Sequence, residues 1–73
     1  MEVVYTRHAK SRMRWREITK QEVEKTIEEP ERREVIGANR FHLFRNFGAR
    51  YIRVTCVIEA SKCIVISAVN KTD

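Results

Sequence analysis

RYIRVTCVIEASKCIVISAV, residues 50–69, decides how this chain folds. From Tyr51 to Glu59 the side chains alternate. Ile52, Val54, Cys56 and Ile58 fall on one side, and Tyr51, Arg53, Thr55, Val57 and Glu59 on the other. A period of two marks a strand with one buried face. ASK is a tight connection and CIVISAV the returning strand, so the two form an antiparallel hairpin. A three-residue connection pairs Glu59 with Cys63, Thr55 with Ser67 and Arg53 with Val69. In that register Arg53, Thr55 and Ser67 share the outer face, with Tyr51 and Arg50 at its rim. Cys56 and Cys63 then fall on opposite faces, where no disulfide can join them.

Upstream of the hairpin the texture stays extended as far as Pro30. NRFHLFR, residues 39–45, reads as a strand ending in the turn NFGA, where Gly48 can take positive φ. REVIG, residues 33–37, is a short strand. Before Pro30 the period changes. ITKQEVEKTIEEP, residues 18–30, holds a capping box at Thr19 and Glu22, an Ile18 placed to staple onto Val23, and a Val23–Ile27 stripe. That helix stops before Pro30, because the residue preceding proline resists helical backbone. A further helix runs from about Arg7 to Arg16 with Thr6 as its cap, and EVVYT before it is a short strand. The order β-α-α-β-β-β-β makes an α+β fold: an antiparallel sheet with two N-terminal helices packed on one face. The N-terminal strand is expected beside a late strand.

Residues 1–73 are too few for two cores, so they form a single domain. Hydrophobic residues at 42% and charged residues at 34% place it among folded globular chains rather than disordered ones. No apolar run reaches the roughly 18 residues of a membrane span. MEVVYT lacks a signal-peptide pattern, and two cysteines are too few for a disulfide framework. The cytoplasm is the expected compartment.

Net charge is +5, which favours anionic partners, nucleic acid first. Its distribution is uneven. Residues 1–20 carry six Lys/Arg against Glu2 and Glu17, and residues 21–34 carry six Glu against Lys25, Arg32 and Arg33. On the first helix Ala9 and Met13 make a narrow apolar stripe, and His8, Arg12 and Arg16 form a row beside it at i, i+4 and i+8. Such a row either snorkels over the core or serves a site held rigid by packing. A neutral His8 could act as a base. On the outer sheet face Arg53 offers a bidentate fork to phosphate, and Tyr51 can stack a base or share a proton. FRNFGARY, residues 44–51, interleaves Arg45, Phe47, Arg50 and Tyr51, a composition suited to single-stranded RNA. His8, His42, Cys56 and Cys63 have no tight ligand spacing, so no metal site is expected. There is no phosphate-cradling glycine loop and no G-x-S-x-G elbow.

The front half, HAKSRMRWREIT…EVEKTIEEPE, resembles a small uncharacterised prokaryotic family with the signature H-A-x-x-R-M-x-x-R-x-I-(S/T)…E-V…I…P-E. The second half is similar to that family's strand pair, with its (L/I)-R-V stretch. The family is grouped with the RelE-like toxins of toxin–antitoxin modules and is similar to the BrnT toxins. His8, Arg12, Arg16 and Arg53 match its motif positions. The chain departs at Glu17, where relatives often carry glycine, and at Val69 and Asn70, where many carry an aromatic or histidine. The resemblance implies a small toxin that cleaves RNA, mRNA on the ribosome included, without metal or cofactor, and that an antitoxin protein partners. In that scheme His8 is the base, Arg12 and Arg53 stabilise the phosphorane and Tyr51 is the acid. Arg16, Arg45, Arg50 and Phe47 would hold the RNA. The alternatives are a non-catalytic RNA-binding or regulatory module on the same fold, and a protein whose basic surface serves an acidic partner helix.

Overall fold

The computed structural model describes residues 1–72. Seven elements follow the expected order. They are β1 (Glu2–Tyr5), α1 (Arg7–Trp15), α2 (Lys20–Glu28), β2 (Arg32–Val35), β3 (Arg40–Asn46), β4 (Tyr51–Glu59) and β5 (Lys62–Asn70). The fold is α+β, and the five strands form one sheet in the order β1-β5-β4-β3-β2. From β2 to β5 the pairing is antiparallel, as short turns require. β1 departs from an all-antiparallel sheet: it pairs parallel to β5, with Val3 opposite Cys63 and Tyr5 opposite Val65. The intervening chain, helices included, serves as the long crossover that a parallel pair needs.

Local chemistry sets the helix boundaries. Thr6 caps α1 by accepting the Ala9 N–H at 3.0 Å. At its other end the Ile18 N–H reaches the Met13 carbonyl at 2.9 Å and the Glu17 N–H reaches Arg14 at 3.2 Å. That double closure is a Schellman motif, and it holds Glu17 at φ 56, in the left-handed region. Thr19 and Glu22 close the expected capping box of α2. Ile18 and Val23, on either side of it, both enter the core. Thr26 is buried as well, its hydroxyl donating to the Glu22 carbonyl at 2.7 Å.

One sheet face carries the core. Leu43, Ile52, Val54, Cys56, Cys63, Val65 and Ala68 meet Ala9 and Met13 of α1 and Val23 of α2. The hairpin register differs from the three-residue reading. Ala60 and Ser61 alone make the turn, so Glu59 faces Lys62 rather than Cys63. A bulge then restores the pairing: Cys56 faces Val65, Thr55 faces Ser67, and Ile66 is the extra residue. Thr55–Ser67 and Arg53–Val69 therefore pair as expected. The two cysteines do not fall on opposite faces, because the one-residue slip turns Cys63 inward. Both are buried free thiols in one core, and the neighbouring Cys63 thiol together with burial pushes the Cys56 thiol up.

Candidate functional site

The sheet face turned away from the core is built in rows by strand register. Arg32, Phe44, Arg53 and Val69 lie side by side across β2, β3, β4 and β5. The next row is Glu34, His42, Thr55 and Ser67. Rows on one face repeat every two residues, about 7 Å apart. On the other side of the arginine row comes Tyr51, opposite Asn46.

Side chains join these rows into one surface. His42 Nδ1 lies 2.9 Å from Thr55 Oγ1. The Phe44 ring stacks on Tyr51 at 5.8 Å between centroids, and His42 meets Phe44 edge-on at 6.2 Å. The Arg32 guanidinium also lies over the Phe44 ring at 4.7 Å and pairs with Glu34 at 2.9 Å. So Phe44, though outside the main core, is buried under its neighbours. Arg53 is half-buried, and its Nε is fully buried without a hydrogen bond. A buried donor of this kind is costly unless something accepts from it. Burial, and then the Arg53 charge, hold the His42 pKa below its ordinary value, with Glu34 opposing. The arrangement thus brings together a neutral imidazole, a guanidinium whose buried Nε has no partner, two hydroxyls and a stacked ring pair on one face.

Arg53 and Tyr51 stand on this face, together with Thr55 and Ser67, as the strand alternation places them. The sequence-predicted RNA contacts sit elsewhere. Arg45 points to the helix side and donates to the Glu29 carbonyl at the end of α2, 2.6 Å away. Arg50 lies 3.6 Å from Glu22 at the start of α2. Phe47 packs against the core. Arg45 and Arg50 tie the β3–β4 turn to the two ends of α2, and Phe47 anchors it in the core. Arg16 donates to the Ala68 carbonyl at 3.0 Å. β1 covers β5 only from Lys62 to Val65, and α1 takes over along the bare edge beyond.

His8 and Arg12 are exposed on α1 and do not join Arg53 on the open face. Arg12 lines a cleft of about 530 Å³ with Ser11, Trp15 and Arg16, none of them from the sheet. The imidazole beside Arg53 belongs to His42. From spacing alone, His42 stands out only as a candidate metal ligand. Its signal was present: in NRFHLFR the inward Phe41 and Leu43 leave His42 outward. Among the described residues no group of His, Cys, Asp and Glu is placed to hold a metal ion, and no helix is long and apolar enough to cross a membrane.

No curated protein and no solved structure matches the chain. A family described as a domain of unknown function (DUF4258) matches residues 5–70, from the last residue of β1 to the last of β5. Because that span holds both helices and every residue of the open face named above, the chain belongs to the DUF4258 family.

Proposed function

We propose that this protein is a cytoplasmic RNA-cleaving toxin of the RelE-like kind, acting through the open sheet face and held in check by an antitoxin. The observation that carries the reading is the His42–Thr55 contact beside the unsatisfied Arg53 Nε. RNA supplies its own nucleophile, the ribose 2′-hydroxyl. Neutral His42 takes the proton from that hydroxyl as its oxygen attacks the adjacent phosphorus. Arg53 donates to the phosphorane oxygens, where negative charge gathers. The P–O5′ bond breaks, giving a 2′,3′-cyclic phosphate and a 5′-hydroxyl, whose proton comes from Tyr51 or the newly charged His42. Thr55 fixes the imidazole, and the Tyr51–Phe44 pair offers a flat surface to a neighbouring base. This scheme moves the base from His8 to His42 and keeps Arg53 and Tyr51. If a ribosome presents the RNA, positioning supplies much of the rate.

A second reading, a non-catalytic RNA-binding module, draws on Val69, an aliphatic side chain directly opposite Arg53 where an acid could otherwise stand. The test incubates wild type, His42→Ala and Arg53→Ala with cellular RNA, with and without ribosomes and with a chelator throughout. Cleavage leaving cyclic phosphate ends is expected from wild type, reduced about 100-fold or more in each variant. Salt-sensitive binding without cleavage assigns the second reading. Neither binding nor cleavage ends both.

A further inference from the structure

We propose that the α1 cleft lined by Ser11, Arg12, Trp15 and Arg16 is a second nucleotide subsite, seating a base on the Trp15 indole and its phosphate between Arg12 and Arg16. It rests on the reading of the open face as an RNA surface and extends the path of the strand bound there. Four observations meet at this cleft. Trp15 is 87% exposed, although large aromatic residues are highly buried on average. α1 carries Arg7, Lys10, Arg12 and Arg14 and no carboxylate. Among the described residues none of these four makes an ion pair. Arg7 and Lys10 even sit near the helix start, where the macrodipole disfavours positive charge. Folding gains nothing from that placement, whereas a polyanion does.

Third, Arg16 is held in place. Its Nη1 donates to the Ala68 carbonyl, which leaves the other donors of the guanidinium fork for a ligand. Fourth, this anchor ties the cleft to the open face. Ala68 lies between Ser67 and Val69, which face Thr55 and Arg53 on the neighbouring strand. One strand spacing, about 5 Å, separates β4 from the edge that Arg16 grips. A single strand leaving Arg53 over β5 reaches the edge where Arg16 is anchored, and Arg16 shares its cleft with Trp15 and Arg12. Stacking on an aromatic ring with phosphates on arginine is the general mode of single-strand binding.

Trp15 is the chain's one tryptophan, so its emission reports on this cleft alone. The experiment titrates the full chain with an end-labelled single-stranded oligonucleotide of about 8 nucleotides, within the usual site size. The RNA is 2′-O-methylated throughout so that it cannot be cut. Label anisotropy and indole emission are read together. Emission is expected to fall with the same midpoint as the anisotropy rises. Trp15→Ala should weaken binding by about 10-fold, within the usual range for one stacked base, and Trp15→Phe should restore most of it. Unchanged emission, with full affinity in Trp15→Ala, overturns the subsite and leaves the open-face reading standing. Absence of any anisotropy change overturns that reading and the subsite with it. Quenching by polyglutamate but not by RNA overturns the subsite in favour of an acidic protein partner.

Discussion

His42 shows how much one position depends on what lies across from it. Burial and Arg53 depress its pKa, so the folded protein binds that proton less readily than the unfolded chain does. Between the folded value and the ordinary value near 6.5, the unfolded state holds more protons, so stability rises with pH there. The contribution is fully present above about pH 6.5 and is lost as the solution is acidified through the depressed value. Thermal melts from pH 7.5 to 5 should show this loss, and His42→Gln should flatten it. The same depression extends the supply of neutral imidazole downward, so the acid limb of cleavage should lie below pH 6.5. An unchanged pH slope in His42→Gln would remove this account. In the sequence, His42 is one polar residue among several in its strand, and only its cross-strand partners give it meaning. The sequence placed Arg53 correctly because alternation fixes a face without fixing a neighbour.

At the level of elements, local signals read well and register read less well. The capping box at Thr19, the cap at Thr6 and the stop before Pro30 each depend on a few consecutive residues, and each stands where the sequence puts it. The β4–β5 hairpin turned on a single residue. Ala60 occupies the left-handed region at φ 53 without being glycine, which lets two residues make the turn. No glycine in ASK announced that turn, and nothing in CIVISAV announced the compensating bulge. Glu17 is a comparable case at the end of α1, where its Cβ works against the left-handed backbone of the Schellman closure. Glu17→Gly should therefore raise stability by roughly 1 kcal/mol, offset in part by the added freedom of the unfolded chain. Urea denaturation at constant m-value checks it. A loss of stability would mean that the Glu17 side chain contributes more than its backbone strain costs.

Across the whole molecule, charge is sorted by location. α1 and the open face are basic, while the acidic Glu24 and Glu28 of α2 border a cleft with Met1, Val3 and Ile27. RNA affinity should consequently fall with salt. If Arg12, Arg16 and Arg53 each neutralise a phosphate, the slope of log K against log salt is about −2 for a single strand, and each arginine removed should make it shallower. A slope near zero would exclude phosphate contact as the basis of binding.

The parallel seam between β1 and β5 has a consequence for the time at which this protein can begin to work. β5 is the last described element to be synthesised, yet it completes both halves of the structure. It pairs with β1 on one side and brings Ser67 and Val69 to β4 on the other. A growing chain halted before Lys62 can form the β3–β4 hairpin, but β1 has no neighbour and α1 no edge to lie along. Closing so long a loop comes late in folding. The two seams of β5 therefore close together, so the open face and the docked first helix come into being in one late step rather than one after the other.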